Sequence, residues 1–140
     1  MNTNIQALAQ QTIETEASAV LGLKAFIDKD FEKIIQSIHE AKGRLIVSGI
    51  GKSAIVAQKI VATLNSTGTP ALFMHAADAI HGDLGMITPD DVVMLISKSG
   101  ESPEIKVLIP LINNFGNLLI GMVGNMDSFL AKQSNLVINT

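Results

Sequence analysis

Residues 92–102 read VVMLISKSGES, so a run of apolar residues passes directly into a turn rich in hydroxyl groups. The turn at 88–91 (TPDD) begins the run and predicts a strand over 92–97. Pro103 suits the first turn of a helix, and apolar periodicity extends that helix over 103–115. The strand is continuously apolar, which is typical of a parallel sheet with helices on both faces.

The same order of apolar strand, turn and helix continues on both sides of this stretch. Further strands are predicted over 44–48, 70–74, 118–123 and 136–138, with helices over 53–65 and 128–132. Alternating strands and helices joined by right-handed crossovers predict an α/β fold. We expect a three-layer αβα sandwich around a five-stranded parallel sheet.

The amino-terminal part of the chain has a purely helical pattern. One helix is predicted over 5–26, and a second has Phe31, Ile34, Ile35 and Ile38 at helical spacing. Asp28 or Asp30 is expected to cap the second helix, and Gly43 to end it. We expect one domain, in which a helical segment, 1–42, packs on a core formed by 43–140.

Composition excludes several classes of protein. The 140 residues are 47% hydrophobic but only 16% charged, with a net charge of −3 and no cysteine. No Lys/Arg cluster suits nucleic acid, and disulfides and thiolate metal sites are excluded. The low charge suggests a surface partly covered by another subunit. Met1 to Gln11 lacks the basic start of a secretory signal and every apolar run is too short to span a bilayer, so a cytoplasmic location is expected.

The turn after the first strand, Ser48-Gly-Ile-Gly-Lys-Ser53, suits an anion. A Walker A loop would need glycine where Ile46 stands. Gly49, Gly51 and Ala54 meet a dinucleotide fingerprint, but the next strand ends at His75 where an acid is expected. The remaining alternatives are a small phosphorylated ligand held near Lys52, or a tight turn with a solvated lysine.

The turn after the 92–97 strand, which we call the serine loop (residues 97–102), is the second anion-binding candidate. Ser97, Ser99 and Ser102 with Gly100 could satisfy three phosphate oxygens. The alternative is a helix cap formed by Ser99 or Ser102, with Glu101 beside it. Glu104, in the first turn of the following helix, either favours the helix dipole or acts as a base on a ligand.

The segment 75–85 separates the two turns and carries two histidines. His81 precedes Gly82-Asp83, and it is either a proton-transfer group or a histidine held by a carbonyl. His75 and Asp78 could pair at i, i+3. No two histidines have the spacing of metal ligands, so no metal is predicted.

Together these motifs resemble the sugar isomerase (SIS) domain family. The resemblance rests on SGIGKS (48–53) and on STGTPALFMHAADAIHGDLGMITPDDVVMLISKSGESPEI (66–105), and it runs from about Gly43 to the last residue. It is nearest to the D-arabinose 5-phosphate isomerase branch, which interconverts D-ribulose 5-phosphate and D-arabinose 5-phosphate for synthesis of Kdo, a sugar of lipopolysaccharide and capsule. A non-catalytic phosphosugar-binding or regulatory module is the alternative.

The resemblance also implies roles for individual residues. Lys52, His81 and Glu104 would be catalytic, in a proton transfer through an enediol that needs no cofactor. The substrate-binding set would be Gly49, Gly51, Ser53, Thr67, His75, Ser97, Ser99, Gly100, Glu101 and Ser102. A homo-oligomer, dimer or tetramer, with shared active sites is implied.

Three departures from the family pattern matter. Lys98 and Pro103 replace residues that are neutral or small and polar in many relatives. Family members continue past the last strand with another catalytic glutamate, a histidine and often CBS modules. We therefore expect a 140-residue protein of this fold to bind its ligand well and to catalyse poorly.

Overall fold

The computed structural model describes residues 4–140, and its centre is one sheet of five parallel strands in the order β2-β1-β3-β4-β5. The strands are β1 Leu45–Gly49, β2 Ala71–His75, β3 Val92–Ile96, β4 Leu119–Val123 and β5 Leu136–Asn139. The helices are α1 Ile5–Gly22, α2 Lys29–Glu40, α3 Lys52–Ser66, α4 Ala76–Ile80, α5 Pro103–Phe115 and α6 Phe129–Gln133, with 3₁₀ turns at Leu23–Phe26 and Asp83–Met86. The predicted α/β fold with five parallel strands is confirmed.

Helices cover both faces of the sheet, as the continuously apolar strands require. On one face, Ile34 of α2 and Ala57 and Val61 of α3 pack against alternate residues of the strands. On the other face, α4, α5 and α6 supply a second apolar cluster that includes Ile105 and Leu130. Residues of β1 and β3 are all buried, because these central strands have helices above and below.

An ion pair between the half-exposed Arg44 and the buried Asp91 joins β1 to β3 at the amino end of the sheet. The carboxylate of Asp91, fully buried, accepts hydrogen bonds from the backbone N–H groups of Arg44 (2.7 Å) and Thr88 (2.8 Å) and from the Arg44 guanidinium (2.9 Å). Burial alone would raise the pKa of Asp91, but these hydrogen bonds outweigh it and hold that pKa well below the ordinary value. The pair therefore holds the amino ends of β1 and β3 next to each other in the sheet.

The second helix is built as predicted, except at its end. Asp28 caps α2 by accepting from the N–H groups of Asp30 and Phe31. The helix ends at Glu40, so the expectation that Gly43 ends it is wrong. Gly43 is needed instead because a Cβ there would lie 2.5 Å from the backbone of Asp90.

The first helix, α1, is exposed along its whole length. α2 lies on the sheet beside β5, whereas no residue of α1 is buried. The division at residue 42, and the packing of the whole 1–42 segment on the core, stay predictions.

Candidate functional site

The two predicted anion-binding turns lie side by side. Gly49 at the end of β1 is aligned with His75 of β2 on one side and with Ile96 of β3 on the other. From β1 the chain crosses to β2 in one direction, and from β3 it crosses to β4 in the other. Ligands of open α/β sheets bind in the crevice that such a reversal leaves at the carboxyl ends of the strands.

The serine loop is folded into a compact turn by its own hydroxyl groups. Ser97 is buried, and its Oγ accepts the N–H of Gly100 at 3.1 Å and lies 3.3 Å from Ser102 Oγ. Ser99 Oγ accepts the N–H of Glu101 at 3.2 Å. Gly100 has φ of 67°, in the left-handed region that favours glycine. The three hydroxyl groups therefore line one short turn.

The loop leads into a helix whose first N–H groups are open to a ligand. Ser102 is the N-cap of α5 but makes no side-chain cap hydrogen bond. Pro103 has no N–H, and the N–H groups of Glu104 and Ile105 find no acceptor among residues 4–140. Ser102 therefore occupies the predicted cap position but does not cap α5 through its side chain, and two backbone donors remain available to an anion.

Helix α6 and the residue that follows β4 hold the serine loop by backbone hydrogen bonds. The N–H of Leu130 donates to Gly100 O at 3.1 Å, and the N–H of Gly124 donates to Lys98 O at 2.9 Å. A Cβ at Gly100 would collide with the side chain of Ser128, which is buried and caps α6. Sequence reasoning missed Ser128 as a support of the site, because the cap is recognisable but its contact with a loop 28 residues earlier is not.

The side chain of Glu101 contacts helices α5 and α6, which support the serine loop. Its Oε1 accepts the N–H of Phe129 at 2.6 Å, and its Oε2 pairs with Lys106 Nζ at 2.5 Å. The hydrogen bond from Lys106, and then that from Phe129, lowers the pKa of Glu101. These contacts are those of a support for the loop, and the place of Glu101 in the substrate-binding set stays a prediction.

The turn after β1 presents Lys52 at the edge of the same crevice. Gly51 takes φ of 56°, and α3 begins at Lys52 with no side-chain cap. A Cβ at Gly49 would lie 3.0 Å from the backbone of Ser53, so the turn is tight. Lys52, Ser53 and Lys98 line a groove of about 310 Å³, in which Lys98 Nζ donates to Thr140 O at 3.1 Å.

The two histidines lie on either side of α4. His75 ends β2 next to Gly49, and its Nδ1 is buried without a hydrogen bond, 3.7 Å from Asp78 Oδ2. His81 follows α4, is exposed, and makes no side-chain hydrogen bond within residues 4–140. Because α4 packs on α5, the segment that carries His81 lies beside the helix that carries Glu104. Glu104 itself is half-buried without an ion pair among the described residues.

Thr67 lies at the opposite end of the sheet. It caps the carboxyl end of α3, and its hydroxyl donates to Thr63 O at 3.0 Å. Three residues later, Pro70 O accepts the N–H of Leu45, the first residue of β1. Helix α3 spans about 22 Å. The prediction that Thr67 helps to hold the phosphate is therefore wrong for the site of its own chain.

Neither a metal-binding cluster nor a membrane-spanning helix is found in the described part of the chain. Within residues 4–140, no group of three His, Asp or Glu side chains could hold a metal ion. In the same range, no helix is both long enough and apolar enough to cross a membrane.

An αβα domain with hydroxyl groups and free N–H groups at its switch point offers hydrogen-bond donors to an anion, and comparison with known proteins gives its family. The SIS domain model matches residues 37–140. The chain therefore belongs to the SIS domain family. It is 52% identical over 128 residues to arabinose 5-phosphate isomerase KdsD of Pseudomonas aeruginosa, and 46% identical over 130 residues to arabinose 5-phosphate isomerase KpsF of Escherichia coli.

These matches cover most of this chain but a smaller part of each relative. They include 91% and 92% of the chain and only 39% and 40% of the two relatives. A solved Escherichia coli CFT073 protein in complex with arabinose 5-phosphate superposes with a TM-score of 0.88 at 38% identity, over 99% of this chain and 74% of that one.

Proposed function

We propose that this chain is the phosphosugar-binding domain of an aldose–ketose isomerase that interconverts D-ribulose 5-phosphate and D-arabinose 5-phosphate. The observation that carries the proposal is the serine loop, with three hydroxyl groups and two open N–H groups at the switch point of the sheet. The names of the relatives, and the ligand of the superposed protein, support the choice of this sugar.

The 5-phosphate is proposed to bind at the amino end of α5. Ser97, Ser99 and Ser102 would donate to its oxygens, together with the N–H groups of Glu104 and Ile105. The helix dipole adds partial positive charge at this point. Because Lys106 and Phe129 hold the Glu101 carboxylate, the negative charge of that group is directed away from the phosphate.

The chemistry proposed for the sugar is a proton transfer through an enediol. A base removes the C2 proton of the aldose while an acid protonates O1, and the enediol is then protonated at C1 as O2 loses its proton. Glu104 and His81 are the proposed proton carriers, and Lys52 would stabilise negative charge on the oxygens. The electrons stay in the sugar, so the reaction consumes no redox cofactor.

The biological setting is proposed from the resemblance to the D-arabinose 5-phosphate isomerase branch of the family. D-Arabinose 5-phosphate would feed the synthesis of Kdo for lipopolysaccharide or capsule in the cytoplasm, and the protein would act as a homo-oligomer with shared sites. Gly49, Gly51, Ser53 and His75 would shape the sugar end of the crevice.

A non-catalytic phosphosugar-binding module is the second candidate. One observation favours it: Lys52, His81 and Glu104 make no hydrogen bond to one another among the described residues, whereas the phosphate-binding groups all lie in 97–105. The phosphate part of the site is therefore more nearly complete within this chain than the catalytic part.

Turnover separates the two candidates. We would incubate the 140-residue chain with D-ribulose 5-phosphate and follow D-arabinose 5-phosphate by NMR, with isotope exchange from D₂O as a second readout. Formation of the aldose with deuterium at C2 supports the isomerase. Binding without product or exchange supports the binding module, and neither binding nor product would contradict both.

A further inference from the structure

Glu101 is an exposed side chain whose two carboxylate oxygens are both engaged. Oε1 accepts the N–H of Phe129 at 2.6 Å, and Oε2 pairs with Lys106. Lys106 lies in the first half of α5, and Phe129 is the first residue of α6. The ammonium group of Lys106 also lies 5.9 Å from the centre of the Phe129 ring. One carboxylate therefore joins the serine loop to two helices.

The amino end of α6 is closed by acceptors that the serine loop supplies. The first N–H groups of a helix have no acceptor within that helix. At α6, the N–H of Phe129 donates to the Glu101 carboxylate, and the next N–H, that of Leu130, donates to the carbonyl oxygen of the preceding loop residue at 3.1 Å. At α5, the N–H groups of Glu104 and Ile105 find no acceptor within residues 4–140. An anion is therefore directed to α5, because the loop itself already occupies α6.

An ordinary surface ion pair does not account for these contacts. An exposed pair such as that of Glu101 with Lys106 contributes little to stability. The bond from Phe129 is different, because a backbone N–H at the start of a helix donates to a charged acceptor 28 residues earlier in the chain. This bond, rather than the ion pair, is the contact that attaches the side chain of Glu101 to α6.

We infer that Glu101 is a positioning residue of the phosphate-binding turn, whose carboxylate holds α6 against the serine loop and so keeps the loop hydroxyl groups in place. Its own N–H donates to Ser99 Oγ at 3.2 Å, so displacement of Glu101 would also displace that hydroxyl group. Glu101 acts through Phe129 and not by contact with the ligand. Its effect on phosphate binding rests on the proposed function, whereas the attachment of the loop to α6 does not.

The charge of Glu101 and its positioning role predict opposite effects on binding. Loss of a negative charge close to the proposed phosphate site should by itself strengthen the binding of a dianion. Loss of positioning should weaken it. We expect Glu101→Ala to weaken the binding of D-arabinose 5-phosphate about 10-fold or more. Glu101→Gln keeps a side-chain oxygen that can accept the N–H of Phe129, so its affinity should stay within about 3-fold of wild type.

The test combines calorimetry with amide hydrogen exchange of the 140-residue chain in the absence of ligand. In Glu101→Ala, the N–H groups of Phe129 and Leu130 should exchange about 10-fold faster or more, while that of the buried Ile120 in β4 should not change. The matched control is Asp127→Ala. Asp127 is an exposed carboxylate two residues before Phe129 and makes no side-chain hydrogen bond within the described residues. Its removal should neither weaken binding nor speed exchange.

Weaker binding and faster exchange in Glu101→Ala, with recovery of both in Glu101→Gln, support the positioning role. Equal or tighter binding in Glu101→Ala overturns it, and so does weaker binding with unchanged exchange, which would indicate direct contact with the ligand. A glutamine variant or an Asp127→Ala control that behaves like Glu101→Ala overturns the role given to the bond from Phe129. If the wild-type chain binds no sugar phosphate, the proposed function fails, and the exchange rates at Phe129 and Leu130 alone decide whether Glu101 holds the loop.

Discussion

Gly100 is the residue on which the shape of the serine loop depends most directly. Its φ of 67° lies in the left-handed region, and a Cβ would meet Ser128. Replacement by alanine therefore adds backbone strain and a collision with the cap of α6. Strain of this kind costs about 1 kcal/mol and overpacking about 1–3 kcal/mol more.

We predict that Gly100→Ala lowers the free energy of unfolding by about 2–4 kcal/mol and abolishes sugar-phosphate binding. Gly116→Ala is the matched control, because Gly116 has φ of 78° but open space around its Cβ position. It should lose about 1 kcal/mol and keep binding. Chemical denaturation and calorimetry measure both effects, and equal losses in the two variants would refute the role given to Ser128.

Lys52 and Glu104 are open to substitution without damage to the fold. Neither makes a hydrogen bond or ion pair with its side chain among residues 4–140. If the proposed isomerase activity is present, Lys52→Ala and Glu104→Ala should each reduce kcat by about 10²-fold or more and leave the melting temperature nearly unchanged. Lys42→Ala and Glu40→Ala, at the opposite end of the sheet, are the controls. A variant that retains the wild-type rate would remove its residue from the mechanism.

At the scale of the elements, the Arg44–Asp91 pair holds the amino ends of β1 and β3 together. The pKa of Asp91 is lower in the folded chain than in the unfolded chain, where it is about 3.9. The stabilisation is therefore fully present above that pH and is lost as pH falls toward the folded pKa.

We predict that Asp91→Asn lowers the free energy of unfolding by about 1–3 kcal/mol at pH 7. The difference from wild type should shrink as the pH is lowered below about 4, because the wild type then loses the charge that the variant lacks. Urea titrations between pH 3 and 7 measure it. Asp90→Asn, an exposed neighbour, should show neither effect, and a difference independent of pH would contradict the assigned cause.

The five strands could be predicted from local pattern because each is a short apolar run between turn residues, whereas the short helix α4 was not predicted. Their ends moved by a residue or so: the strand expected over 70–74 is Ala71–His75. The reason for Gly43 could not be predicted, since its close neighbour Asp90 is 47 residues away in sequence. Local pattern indicates where an element ends but not which distant backbone approaches it.

At the scale of the whole molecule, the candidate site depends on the order of the strands. The motifs at 48–53 and 97–102 were recognisable in sequence, and the β2-β1-β3-β4-β5 order brings them to one crevice. The same topology carries Thr67 to the far end of the sheet. Sequence alone could not show that the serine loop shares the crevice with Lys52 and that Thr67 does not, because Thr67 is nearer to Lys52 along the chain.

The central claim, that the serine loop binds a phosphoryl group, is tested most directly by calorimetry with matched ligands. D-Arabinose 5-phosphate should bind the wild-type chain, and D-arabinose should not. Ser97→Ala/Ser102→Ala should weaken binding at least 10-fold, whereas Ser66→Ala, at the end of α3 away from the crevice, should leave it unchanged. Equal heats for the sugar and its phosphate, or full affinity in the double variant, would contradict the account.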